Sequence, residues 1–222
     1  NMTRAACRSA CASRNTGVVT GWHQLGYAEY NALQLLLLTE YQDLNSQKVL
    51  GNGASEGSVY SVTTGVDKSN ARGNRSGNAH TPAGAITDYV SYRGIENIYG
   101  RAWQFVDGIN VYERGVFVST DPSKWADDTD VDYQPVGVVP ASDASYIRDV
   151  MASGTYLLPR SVTGASGTTY TGDAFWTNPG WRVAFVGGGA GIGAQVDTLY
   201  LALANDSSGQ GPSAGGRLAF AA

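Results

Sequence analysis

The chain has 222 residues, of which 42% are hydrophobic and 15% charged, with 29 glycines and a formal net charge of −4. Charged residues fall well below the roughly 25% usual in globular domains. No basic block is present, so non-specific nucleic-acid binding has no electrostatic support. No apolar run approaches the roughly 18 residues of a membrane span. Low charge with abundant Gly, Ser, Thr and Tyr predicts a loop-rich fold held by backbone hydrogen bonds, and suits a subunit that buries surface in an assembly.

Thr3 to Arg14 reads as a short Ala-rich helix with Thr3 as its N-cap. Cys7 and Cys11 lie one turn apart on its small-residue face. A disulfide within one helical turn is geometrically poor, and the two histidines, His23 and His80, are too few for a zinc set. We therefore expect no metal and no cofactor. Asn1-Met2-Thr3 reads as the start of a segment inside a longer chain or as a trimmed terminus, with residues 1–222 forming one domain.

Tyr27–Tyr41 is the strongest helical pattern. Tyr30, Leu33, Leu37 and Tyr41 recur at helical spacing, and Leu35, Leu36 and Leu38 widen the apolar face, predicting a central helix buried nearly all round. From Val49 to Gly84 the chain turns to Gly, Ser, Thr and Asn, with one candidate strand at residues 59–63. Long loops of this kind often carry function or interfaces.

Residues 89–112 are rich in aromatics. Asp107-Gly108 between Ala102–Val106 and Ile109–Tyr112 predicts a tight hairpin, with Trp103 and Phe105 as core anchors. Gly115–Ser119 reads as a strand and Asp121-Pro122 as a turn. Asp127, Asp128, Asp130 and Asp132 follow. Asp128-x-Asp130-x-Asp132 imitates a calcium loop, but Tyr133 stands where the turn glycine belongs and Val139 where the bidentate glutamate belongs. A solvated acidic loop is the expectation. Residues 146–151 read as a helical turn, 156–159 as a strand and 176–180 as a turn. Strands are expected at 181–186, 199–203 and 217–220.

Gly189-x-Gly191-x-x-Ala194 after a strand imitates a dinucleotide-binding turn, but β-prone residues follow where that motif needs a helix. A Gly-rich connection between strands is the better account. The two histidines suggest no Ser-His-Asp set by spacing.

The order of two N-terminal helices, long loops, short Trp- and Gly-rich strands and a closing Gly-Arg-Leu-Ala-Phe strand resembles the C-type lectin fold of the formylglycine-generating enzyme family and of phage and bacterial variable proteins. Gly100-Arg101-Ala102-Trp103-Gln104-Phe105 looks like that family's Gly-Asn-Val-Trp-Glu-Trp segment. Trp181–Gly188 and Gly216–Phe220 look like its Arg-Gly-Gly-Ser-Trp and Gly-Phe-Arg segments. Trp22-His23-Gln24, Asn45-Ser46-Gln47 and, above all, the Tyr92–Asn110 run resemble virion proteins of tailed bacteriophages. The resemblance implies an α+β, C-type-lectin-like fold, two N-terminal helices packed on short, mostly antiparallel strands with long loops. It also implies a non-enzymatic protein of the virion surface, either a tail-fibre or receptor-binding module or a capsid-decoration subunit. The family's oxidase activity does not carry over, because its copper-binding cysteines lie late in the chain and none follows Cys11 here. Implied partners are other virion proteins, further copies of the chain, and a host-surface glycan or protein, with neither nucleic acid nor membrane insertion. By resemblance the ligand-binding positions are Trp176, Trp181, Tyr200, Asn205, Ser207 and Ser208. The alternatives are a purely architectural virion subunit and a copper-independent enzyme related to the formylglycine-generating family.

Overall fold

The computed structural model describes residues 1–54, 77–79 and 89–221. The candidate strand at 59–63, most of the Gly-rich loop and His80 lie outside the described residues. The fold is mixed α+β with few helices and one large curled sheet.

Helix α1 (Arg4–Ala12) starts where the sequence predicts, with the Thr3 hydroxyl accepting from the Ala6 N–H at 3.2 Å. Strand β1 (Trp22–Gln24) leads into α2 (Tyr27–Tyr41), whose bounds match the predicted helix. Its entry is fixed by Glu29, which accepts from the Gly26 N–H at 2.7 Å and bonds His23 Nε2 at 2.9 Å. Of the expected apolar face of α2, Tyr30 and Leu37 are buried; Tyr27, Asn31 and Gln34 complete the buried stripe in place of the other leucines, and Leu36 is 45% exposed. Polar atoms of this stripe bond to backbone. Tyr27 Oη donates to Leu157 O, Tyr30 Oη to Thr198 O, and the Asn31 amide donates to Thr155 O while accepting from Leu157 N. The helix is thus docked by specific hydrogen bonds along one stripe, and burial all round is unnecessary.

After the short helix α3 (Ser46–Leu50) come β2 (Gly77–Ala79), β3 (Tyr89–Tyr92) and β4 (Ile95–Glu96), a small antiparallel sheet. The main sheet is built from β5 (Trp103–Tyr112), β6 (Gly115–Val118), β7 (Gln134–Val138), β8 (Ser142–Tyr146), β11 (Ala174–Thr177), β12 (Trp181–Val186) and β13 (Leu201–Asn205). Their order is β7-β6-β5-β12-β13-β11-β8, with β14 (Ala214–Gly216) added beside β5. Two pairings are parallel, β11 with β13 and β14 with β5; the other pairings in this sheet are antiparallel. Strands β9 (Asp149–Ser153) and β10 (Tyr156–Ser161) form a separate hairpin, and the last strand, β15 (Leu218–Phe220), returns to pair with β1. Residues 146–151, expected to be a helical turn, are instead the end of β8 and the start of β9, and Trp176 lies in β11 rather than in a turn. No helix among the described residues is long and apolar enough to cross a membrane.

Asp107-Gly108 does not reverse the chain. Strand β5 runs unbroken through it and bulges. Arg182 to Ala184 of β12 spans two steps while its partners, Val111 back to Val106, span five. Gly108 sits at φ +66°, and a Cβ there would stand 2.5 Å from Ser119 O. The turn propensity of Asp-Gly is therefore spent on bending one strand. The bend lets the first half of β5 pair with β14 and the second half with β6.

Asp107 is held at this bend by α1. Arg8 makes a bidentate contact with it, and both Arg4 and Arg8 reach Asp127 at 2.6 Å. Arg4 is fully buried and also donates to Ile109 O and Asn110 Oδ1. Asp127, expected in a solvated acidic loop, is thus a half-buried ion-pair partner. Burial alone raises the Asp127 pKa, but Arg4 and Arg8 outweigh this and hold it below the ordinary aspartate value. The same carboxylates hold Arg8 above its ordinary value against the opposing effect of burial.

Candidate ligand-binding groove

Phe105 of β5 and Phe185 of β12 are register partners and pack with ring centroids 4.1 Å apart. Together with Val183, Val196 and Ala202 they make a core beneath one face of the sheet. Above this floor the chain opens a groove of about 440 Å3. Trp103, Trp176 and Tyr200 form its aromatic wall. Trp176 is half-buried in β11 and packs against Tyr200 with ring centroids 5.3 Å apart. The Trp103 indole N–H donates to Tyr200 Oη at 2.8 Å, so both rings are fixed.

The Gly187–Gly191 run is what lets the chain pass beneath this wall. A Cβ on Gly189 would stand 2.8 Å from the Trp103 ring, and one on Gly188 would overlap Val196 at 2.0 Å. Gly188 also has φ +57°. These glycines serve close packing between strands, as the sequence suggested, and the turn that follows is a short 3-10 segment over Gly193–Gln195, not a nucleotide-binding helix.

The rim is amide-rich. Gln195 comes from that 3-10 turn, Asn205 from the end of β13, and Gln210 from the connection to β14. No side-chain hydrogen bond among the described residues engages these three amides. Among the described residues no Asp, Glu, Lys, Arg or His lines the groove. The phenol of Tyr200 is pushed up to about 12, chiefly by burial, with the Trp103 N–H opposing and Asp173 adding to the rise. The described lining is therefore uncharged near neutral pH. It offers ring faces, amide donors and amide acceptors.

Under the wall lies a buried acid pair. Asp173 immediately precedes β11 and Asp197 lies four residues before β13. Asp173 Oδ1 accepts the Asp197 N–H at 2.8 Å, while Asp197 accepts backbone N–H groups from Ser46 and Leu199, each at 3.0 Å. Burial drives Asp173 well above the ordinary aspartate value, and the neighbouring Asp197 raises it further. Asp173 Oδ2 has no hydrogen-bond partner among the described residues, and a protonated, uncharged carboxyl leaves no buried charge there unmatched. The pair fixes the starts of the two parallel strands that bear Trp176 and Asn205.

The positions implied by resemblance divide. Trp176, Tyr200 and Asn205 share the groove. Trp181 does not: it packs against Tyr112 at 4.8 Å and Phe117 at 6.4 Å, away from the groove. Ser207 donates to Asp128 and Ser208 to Asp206, so both serve loop structure. Trp103, Gln195 and Gln210 were not among the expected residues. Trp103 reads as a core residue in an alternating strand, and the two glutamines sit in sequence without periodicity.

A second opening, also about 440 Å3, lies between α1, β1 and residues 121–125. Its polar groups are already engaged: Arg8 by Asp107 and Asp127, His23 by Gly21 O and Glu29, and Asp121 by Ser123. The acidic loop is divided in the same way. Asp127 faces the arginines, Asp128 accepts from Ser207, and Asp132 lies 3.7 Å from Lys124. Among the described residues no three His, Cys, Asp or Glu side chains converge as metal ligands, and Cys7 and Cys11 are free thiols. No protein-family model matches the chain, and no curated protein matches it.

Proposed function

We propose that the chain is a non-enzymatic recognition module of a tailed-phage virion surface, with a C-type-lectin-like fold and a ligand groove walled by Trp103, Trp176 and Tyr200. The observation that carries the reading is the gathering of Trp176, Tyr200 and Asn205 around one uncharged opening. These are three of the positions that the resemblance assigns to ligand binding. Rigid aromatic faces with adaptable polar groups are what recognition surfaces use. The fold reading is supported by the order of elements, two leading helices followed by short strands and a closing Arg-Leu-Ala-Phe strand that pairs with β1. The Arg217 guanidinium that opens this last strand donates to Gln104 Oε1 at 3.0 Å and to Asn97 O at 3.1 Å, tying the end of the fold to β5.

The test is adsorption of phage carrying Trp176→Ala or Asn205→Arg in this subunit. Particles should assemble with normal content of the subunit and adsorb roughly tenfold less or worse, the loss of a binding hot spot. Normal adsorption by both variants overturns the recognition role. Particles that lack the subunit or fail to assemble would instead make the chain an architectural part of the virion.

A further inference from the structure

We infer that the groove takes an uncharged saccharide, a neutral pyranose unit at the end or along the side of a host-surface glycan. This rests on the recognition reading above and specifies its ligand. The volume, about 440 Å3, falls within the roughly 300–1,000 Å3 range of small-ligand sites.

The chemistry of the lining selects the class. A pyranose has a face of C–H groups, which packs on aromatic rings, and a rim of hydroxyls, each both donor and acceptor. The groove supplies the first through Trp103, Trp176 and Tyr200. The second is met by Gln195, Asn205 and Gln210, whose amides also donate and accept. Because no side-chain hydrogen bond among the described residues engages these amides, none has to be broken for a ligand. The rings are preset, Trp103 by its bond to Tyr200, so little ordering cost falls on binding.

Other classes fit worse. A sialylated, uronic or phosphorylated ligand would find no cationic side chain among the described lining residues to offset its desolvation. A peptide added as an extra strand would need a free sheet edge, but β13 is paired on both sides, by β12 and β11, and β11 by β13 and β8.

The experiment is binding of the purified protein to a printed array of neutral, sialylated and uronic-acid glycans, and to host-cell envelopes treated with mild periodate or with protease. Neutral glycans should bind. Envelope binding should be lost after periodate and kept after protease, and should change little between about 0.05 and about 0.5 M NaCl, since no ion pair is screened. Trp176→Ala should weaken it roughly tenfold or more, with an unchanged circular-dichroism spectrum. Stronger binding to acidic glycans, or loss after protease but not after periodate, overturns the saccharide assignment. If in that case Trp176→Ala still impairs phage adsorption, the recognition role stands with a different ligand. If adsorption is also unaffected, both fail.

Discussion

Two buried polar clusters hold this fold together by opposite means. Around α1 and the bend of β5, Arg4 and Arg8 meet Asp107 and Asp127, two charges of each sign. Under the groove, Asp173 and Asp197 lie together with no cation among the described residues, and burial with the neighbouring carboxylate pushes Asp173 toward its uncharged form. The first cluster balances opposite charges; the second avoids charge. The sequence contains many aspartates, and burial alone does not say how one will behave. Its neighbours decide.

The comparison is broken most severely at Asp107. Asp107→Ala leaves two arginines with a single carboxylate, one of those arginines fully buried, and should destabilise the protein by about 3–5 kcal/mol in urea unfolding. A cost under about 1 kcal/mol would mean that the arginines reach water and that the clamp is not a structural element. Gly108→Ala keeps every charge and tests the bend alone. With φ +66° and Ser119 O 2.5 Å from the added carbon, it should cost about 1–3 kcal/mol. A neutral result would show that β5 tolerates another path.

The smallest effect, and the one that most sharpens the contrast, is in pH dependence. Asp127 lies below its ordinary value when folded. Its contribution is present above the unfolded value, near ~3.9, and is lost as pH falls through the lower folded value. Asp173 lies above its ordinary value, so its contribution is complete below ~3.9 and is lost as pH rises through the raised folded value. Asp173→Asn, which keeps an oxygen to accept the Asp197 N–H and cannot ionise, should remove the second dependence, flattening a slope of at most about 1.4 kcal/mol per pH unit, and leave the acid limb intact. If the alkaline decline persists in Asp173→Asn, the proton is held elsewhere.

How much of this could be read in the chain beforehand depends on range. Local signals were legible: Thr3 as a cap, the bounds of α2, and strands at 181–186 and 218–220 all follow from propensity and period. Asp107-Gly108 misled because its turn preference is local while its use is set by α1 and β12, far away in sequence. The other leucines of α2 misled, Leu37 excepted, because the stripe that docks is chosen by hydrogen bonds from Asn31, Gln34 and the two tyrosines. Resemblance pointed to Trp176, Tyr200 and Asn205, which line the groove. It gave no pointer to Trp103, which comes from a strand about 70 residues earlier and joins the wall by its bond to Tyr200. Asp173 and Asp197 carry no sequence pattern that marks them as partners, since parallel pairing of β11 with β13 is what brings their segments together.

Strand β5 has one more consequence, for the order in which the molecule is made. Its neighbours come from across the chain: α1 from residues 4–12, β6 from residues 115–118, β12 from residues 181–186 and β14 from residues 214–216. β1 likewise waits for β15. A ribosome releases β5 long before the strands that complete it, so the bent strand and the arginines of α1 remain half-matched until β12 and β14 emerge. Folding of this unit is therefore expected to be slow and to wait for those strands, with its apolar central strand in the care of the cell's chaperones during synthesis.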